Sequence, residues 1–207
     1  MIIGIAGKAG SGKDEFAKVA QEKFGAIVLP FAAALKTEVS EFLYSHGFPF
    51  EYNNLYGTQA DKEKVCVIDA FTYEPYFMKF LYNFAELSDG RYYFTYRSLM
   101  QWFGSEYRRS QDENYWVNRL LDRVHSDPSK LYVVPDTRFA NEAFAIRESN
   151  GCLIKVTRPS MVTISNMNHA SENGLNDWTA WDYEINNDGT LEEYRQKCLE
   201  VLNKLVI

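Results

Sequence analysis

The first 24 residues, MIIGIAGKAGSGKDEFAKVAQEKF, restrict the fold more than any other stretch of this chain. Ile2, Ile3, Ile5 and Ala6 make an apolar run of buried-strand length, and Phe16, Ala20 and Phe24 recur at four-residue spacing, on one face of a helix. Between them stand Gly7, Lys8, Ala9, Gly10, Ser11, Gly12 and Lys13. Strand, glycine-rich turn and helix in that order build an anion cradle. The glycines let backbone N–H groups converge on one anion, and the helix N-terminus adds its partial positive charge. Lys13 can then reach the outer phosphates of a nucleoside triphosphate. The next position, where Ser or Thr would hold Mg²⁺, is Asp14. The competing reading is a plain glycine turn entering a helix whose first acids, Asp14 and Glu15, complement its dipole. Such a turn needs neither Lys13 nor three glycines.

A chain of 207 residues is one domain, or one domain with sizeable insertions, and 46% apolar residues supply a full core. The net charge of −6 and pI of about 5.2 give no basic field for nucleic acid, so a phosphate-bearing substrate must be caught by a local cluster of Lys and Arg. Cys66, Cys152 and Cys198 are far apart and match neither a disulfide framework nor a zinc spacing, which points to a reducing compartment. No charged-then-apolar leader precedes the first strand, and no apolar run approaches membrane-spanning length. The expectation is a cytoplasmic protein with no membrane or nucleic-acid partner.

Strand and helix signals then alternate. Ala26–Leu29 reads as a second strand closed by Pro30, and residues 33–46 carry a helical pattern with Lys36 in its first turn. There Lys36 either turns toward bound phosphate or is a solvated lysine. Residues 48–96 are rich in Tyr and Phe without a clear period, as an insertion that grips a substrate or as plain packing. Two helices are expected in 96–126, the second with Trp116, Leu120 and Val124 on one side. Arg108 and Arg109 would lie in the loop between them, forked onto a phosphate or paired with Glu106, Asp112 or Glu113.

Leu131–Val134 is a third strand, and Asp136 and Arg138 follow at its carboxyl end, where ligands bind in an open α/β sheet. Asp136 is thus placed like a Walker B acid. A helix with Asn141 and Glu142 comes next, then a fourth strand, residues 152–156, leading to Arg158. Residues 160–181 are polar and irregular; His169 within them draws no assignment. Residues 183–185 form a weak fifth strand, and Thr190 with Glu193 is a capping box for a last helix burying Leu191, Tyr194, Cys198, Val201, Leu202 and Leu205. The fold class is therefore α/β: a parallel five-stranded sheet with helices on both faces, interrupted by substrate-binding and lid insertions.

Several blocks of sequence carry a family resemblance: GKAGSGKD, LMQWFGSEYRR followed by YWV, VVPDTRFANE, VTRP, HASE and INNDGTLEE, in this order. With these the chain resembles the bacteriophage deoxynucleoside monophosphate (dNMP) kinases over nearly its whole length. The resemblance implies a P-loop kinase fold, ATP and a dNMP as substrates, Mg²⁺ as cofactor, and a place in host-cytoplasmic DNA precursor supply. It implies a core of 1–43, 111–158 and 182–207, a monophosphate-binding insertion at about 44–110 and a lid-like segment at about 159–181. Phage kinases of this type are often dimers. The GKD form of the loop is a family trait, although those enzymes usually follow that Asp with Thr or Ser where this chain has Glu15. That departure removes a hydroxyl ligand for Mg²⁺ from the loop.

Taking the residue pattern and the matched motifs together, the cofactor-binding residues would be Gly7 through Asp14 and Arg158, with Asp14 on the metal, directly or through water, and Asp136 as a second, outer-sphere acid. Catalysis would rest on Lys13, Arg109, Arg138 and Asp136, and acceptor binding on Lys36, Gln101, Arg108, Arg109, Trp116, Arg138 and Glu142. Two other readings stay open. One is a P-loop kinase of another small phosphorylated acceptor, of the phosphomevalonate or dephospho-coenzyme A type. The other is a nucleotide-binding switch, against which stand the absence of an N-K-x-D motif and the arginines supplied in cis.

Overall fold

A computed structural model describes residues 1–69, 75–159 and 174–206. In chain order the elements are β1 (Ile2–Ala6), α1 (Lys13–Phe24), β2 (Ile27–Val28), α2 (Phe31–Ser45), α3 (Tyr52–Tyr56), α4 (Gln59–Glu63), β3 (Val65–Asp69), α5 (Pro75–Leu81), β4 (Glu86–Ser88), β5 (Arg91–Thr95) and α6 (Tyr96–Gln101). Then follow a π-helix (Trp102–Arg109), α7 (Tyr115–Ser126), β6 (Tyr132–Val134), α8 (Ala140–Glu148), β7 (Cys152–Thr157), β8 (Tyr183–Asn186) and α9 (Leu191–Leu205). The chain divides into two compact units, Met1–Phe31 with Val117–Ile207, and Ala32–Trp116.

In the first unit β1 is buried at every position because both faces of its sheet are covered. The strand order is β2-β6-β1-β7-β8 and each pairing is parallel. On one face Ile3, Ile5, Val133, Ile154 and Val156 share a core with Phe16 and Ala20 of α1 and Tyr194, Cys198 and Leu202 of α9. On the other, α8 lies so close that a Cβ on Gly4 would stand 2.6 Å from Ile146 Cδ1. Burial on both faces is why these strands read as unbroken apolar runs. All five strands expected from the sequence are present, in one parallel sheet. Leu191 differs: it is 63% exposed, because as the first residue of α9 it falls outside the stripe carried by Tyr194, Cys198, Val201 and Leu202. Thr190 caps that helix as expected, its N–H donating to Glu193 Oε2 at 2.7 Å and its hydroxyl accepting from Glu193 N at 3.3 Å.

The second unit holds regular structure where the sequence shows no period. Residues 48–96 contain an antiparallel sheet of order β3-β5-β4 together with α3, α4 and α5. The alternation is hidden because the outward positions of β3 are Val65 and Val67, exposed yet apolar, and β5 carries aromatic residues on both faces. Aromatic residues also make this unit's core. Phe84 meets Phe94 edge-on at 5.4 Å, and Trp102 stacks on Tyr107 at 5.3 Å. Packing, the blander of the two expected roles, is thus a large part of what these rings do.

Arg108 and Arg109 do not lie in a loop. Helix α6 passes without a break into the π-helix, whose last residues they are. Its wide turns bury Trp102, Phe103 and Gly104, and the Trp116 indole N–H donates to Gly104 O at 2.9 Å. Lys36 sits in the second turn of α2, not the first, because that helix already begins at Phe31. Among the described residues no helix is long and apolar enough to cross a membrane.

Acid should loosen the first unit. Arg195 lowers the Glu22 carboxyl below its usual 4.5, Lys197 lowers Asp188 below 3.8, and the Thr190 amide and hydroxyl lower Glu193 below 4.5. A carboxylate depressed in the folded state contributes stability that is complete above its unfolded pKa and is lost as the pH falls through the folded value. Urea midpoints should therefore be level from pH 7 down to about 5 and fall steadily below about 4.5.

Candidate active site

The parallel registers set Gly4 opposite Val134 and Ala6 opposite Lys155. Loop Gly7–Gly12, residues 135–138 and Arg158 therefore all leave the carboxyl end of the same sheet, the ligand-binding end of an open α/β fold. Thr137 N extends the ladder by donating to Ile5 O at 3.2 Å.

Only glycine fits at the loop's critical points. Gly7, Gly10 and Gly12 have φ of 151°, 73° and 115°. A Cβ on Gly7 would fall 2.3 Å from Val156 O, and one on Gly12 would fall 2.7 Å from Asn187 Nδ2 and 2.9 Å from the Tyr194 ring. Ser11 N donates to Lys8 O at 3.1 Å, tightening the turn. Lys13, the first residue of α1, is buried, and its ammonium donates to Gly7 O at 2.6 Å and Lys8 O at 2.8 Å. Ser11 Oγ is buried without a hydrogen-bond partner among the described residues. Positive-φ glycines, a lysine folded onto the loop and an orphaned hydroxyl together suit an anion.

The loop is held from behind by two residues that sequence reasoning passed over. Asn187 Nδ2 donates to Ser11 O at 2.9 Å, and the Tyr194 hydroxyl donates to Gly12 O at 2.9 Å. Burial pushes the Tyr194 hydroxyl well above its usual range, so it stays a neutral donor. Both belong to the INNDGTLEE block or its next residue, which the sequence shows as a turn, a helix cap and a core tyrosine, with nothing that ties them to the loop. Glu15 pairs with Arg195 of α9, which also holds Glu22 at 2.5 Å. The residue that replaces the family's hydroxyl thus ties two helices together.

The other expected site residues divide sharply. Asp14 is exposed in the first turn of α1, and Lys8, Ala9 and Arg158 are exposed as well. Asp136 Oδ1 accepts from Phe31 N at 2.8 Å, joining the end of β6 to the start of α2. Glu142, expected on the acceptor, is only 2% exposed; its Oε2 accepts from Arg138 N at 2.8 Å and Phe139 N at 3.1 Å. A carboxylate there satisfies amides that the start of α8 leaves unpaired, so it acts on the fold of the Arg138 segment. No group of three His, Cys, Asp or Glu among the described residues forms a metal cage. Mg²⁺ in nucleotide sites takes one or two carboxylates and otherwise phosphate and water, and the hard oxygens of Asp14 and Asp136 fit that need.

In the second unit Arg108 Nη2 lies 2.8 Å from Glu38 Oε2, and its guanidinium covers the rings of Tyr115, Tyr107 and Phe103 at 4.9, 5.2 and 5.3 Å. Tyr115 Oη donates to Glu38 Oε1 at 2.7 Å. The partner of Arg108 is thus Glu38 of α2, which no local spacing announces, in place of Glu106, Asp112 or Glu113. Arg109 and Gln101 are half-buried at the ends of their helices. Lys36 Nζ lies 5.6 Å from the centre of the Tyr56 ring. Trp116, expected on the acceptor, is 4% exposed and spends its indole N–H on Gly104, so its part is to brace the π-helix. Burial pushes the Cys152 thiol up to about 12 and Cys198 to about 11, so neither supplies a thiolate. His169 and the whole of residues 160–173 lie outside the described residues.

Parallel sheet, glycine loop and loop lysine define a phosphate-loop α/β protein. The family "Deoxynucleotide monophosphate kinase" matches residues 75–198, and the chain belongs to that family. It is 27% identical over 216 residues to a "Putative deoxynucleotide monophosphate kinase" of Acanthamoeba polyphaga mimivirus, covering 98% of this chain and 96% of that one. It is 37% identical over 114 residues to the deoxynucleotide monophosphate kinase of Enterobacteria phage T4, over 53% of this chain and 46% of the phage protein. Among solved structures, a dephospho-CoA kinase from Campylobacter jejuni aligns with 99% of this chain and 96% of its own at 14% identity and a TM-score of 0.49.

Replacing Trp116 with Phe keeps the ring but leaves the buried Gly104 carbonyl without its donor. The expected loss is about 1–3 kcal/mol of unfolding free energy, read as a lower urea midpoint at unchanged slope.

Proposed function

We propose that this enzyme transfers the γ-phosphoryl group of ATP to the 5′-phosphate of a deoxynucleoside monophosphate, yielding a dNDP and ADP. The observation that supports this is the loop Gly7–Lys13, with its positive-φ glycines and buried lysine at the carboxyl end of the sheet, in a chain of the deoxynucleotide monophosphate kinase family. In this proposal residues 1–207 are one kinase domain: a core of 1–43, 111–158 and 182–207, a monophosphate-binding insertion at about 44–110 and a lid-like segment at about 159–181. The enzyme would work in the cytoplasm of the host cell, on ATP and a dNMP and with no nucleic-acid partner.

The chemistry asks little of a base. The acceptor phosphate has a second pKa of about 6, so at neutral pH it is mostly a dianion and brings its own nucleophile. The obstacle is repulsion, because MgATP and dNMP each carry about two negative charges and their phosphates must meet in line. Loose phosphoryl-transfer transition states are stabilised by cations around the equatorial and bridging oxygens. Lys13 would leave the Gly7 and Lys8 carbonyls for the β- and γ-phosphates, a stronger partner than two neutral oxygens. Arg138 and Arg109 would neutralise the transferring group, with Arg158 on the ATP side and Lys36, Arg108 and Gln101 on the acceptor side. Mg²⁺, when bound with ATP, neutralises phosphate oxygens, and Asp14 with Asp136 would hold it.

A coupled ADP-release assay across the dNMPs, the matching NMPs and dephospho-coenzyme A tests the acceptor class. ADP formation with dNMPs supports the proposal; turnover of dephospho-coenzyme A alone overturns it. Lys13→Ala should lower kcat by at least about 100-fold with an unchanged circular dichroism spectrum. Arg109→Ala should raise the KM for dNMP more than that for ATP; the reverse pattern would move Arg109 to the donor side.

A further inference from the structure

The two carbonyls that close the phosphate loop are pinned from outside. Ser11 O accepts from buried Asn187 Nδ2 at 2.9 Å, and Gly12 O accepts from Tyr194 Oη at 2.9 Å while also receiving Phe16 N at 3.0 Å. In a trans peptide the C=O and the following N–H point in opposite directions. Fixing the Ser11 carbonyl toward Asn187 therefore turns the Gly12 N–H away from Asn187, and fixing the Gly12 carbonyl turns away the Lys13 N–H. These are the two amides nearest the helix N-terminus, where an anion is stabilised most.

Neither donor is at liberty to leave. Asn187 is 9% exposed, and its own N–H is tied to Thr157 O at 2.7 Å, at the end of β7. Tyr194 is 1% exposed and packs in the core with Phe16 and Ile5. The next residue, Arg195, grips α1 through Glu15 and Glu22. Both donors also occupy the space that a Cβ on Gly12 would need, so the loop is fitted against them as closely as glycine permits.

We propose that Asn187 and Tyr194 are positioning residues for ATP: they pre-set the orientation of the last two loop peptides, so that the polyphosphate meets amides already aimed at it. This rests on the phosphate-loop reading given above but not on the identity of the acceptor. Without the two donors the loop peptides can rotate, and binding must then absorb the ordering of the loop. The effect belongs to the triphosphate and leaves the acceptor's own contacts alone.

The test is calorimetric titration of MgATP with no acceptor present, beside KM values for both substrates. Tyr194→Phe removes one hydroxyl and keeps the ring, whereas Asn187→Asp keeps the shape and replaces the amide donor with a carboxylate facing Ser11 O. Loss of one hydrogen bond predicts roughly 3-fold weaker ATP binding for Tyr194→Phe, and the repulsive Asn187→Asp should exceed about 10-fold. The KM for dNMP should stay within about twofold for both. If Asn187→Asp does not fold, Tyr194→Phe decides alone. Unchanged ATP affinity in the folded variants overturns the inference, and continued dNMP turnover by them leaves the kinase reading standing. Equal losses for ATP and dNMP also overturn it, since general damage to the fold would do the same.

Discussion

A backbone that passes where no side chain fits is the constraint on which the first unit depends. The loop after β1 runs so close to β7 that a Cβ at Gly7 would sit 2.3 Å from Val156 O, and so close to α9 that one at Gly12 would strike Tyr194. Such an approach is possible only if β7 lies beside β1 in parallel register, β8 places Asn187 behind the loop, and α9 packs on α1. The glycines are thus complementary to the tertiary structure as much as to any phosphate. Strand order, the covering helices and the loop conformation follow from one another.

Charge is handled locally. The chain is acidic overall, with a net charge of −6, yet it must hold anions. Five cations stand at the ends of strands or helices: Lys13 at the start of α1, Arg138 past β6 and Arg158 past β7 in the first unit, and Arg108 and Arg109 at the end of the π-helix in the second. Several are already engaged, Lys13 with loop carbonyls and Arg108 with Glu38. Arg195 shows the other use of a cation, as a tie between α1 and α9 through Glu15 and Glu22.

Legibility varied with how local the cause was. The three central strands of the parallel sheet could be read because strands buried on both faces are largely apolar, and the Thr190–Glu193 cap because its two residues are three apart. The sheet of the second unit was hidden, since Val65 and Val67 are apolar yet exposed and the aromatic residues of β5 face both ways. The run from Gly104 to Arg109 reads as a loop between helices, but it belongs to the π-helix Trp102–Arg109, braced by Trp116 on Gly104 O and by the stacking of Trp102 on Tyr107. Glu142 and Trp116 are of residue types that often contact ligands, and only burial shows one closing a helix and the other bracing one.

What the sequence by itself determined is the glycine loop, the order of strands and helices in the first unit, and the family, because each depends on runs of residues adjacent or a few positions apart. Only the tertiary structure decided that Glu38 holds Arg108, that Glu15 serves Arg195, and that Asn187 and Tyr194 reach back across 176 and 182 residues to the loop. Contacts of that span leave no period or spacing in the chain. Those of Asn187 and Tyr194 exist because a parallel sheet brings its strand ends together at one end, whatever their distance in sequence.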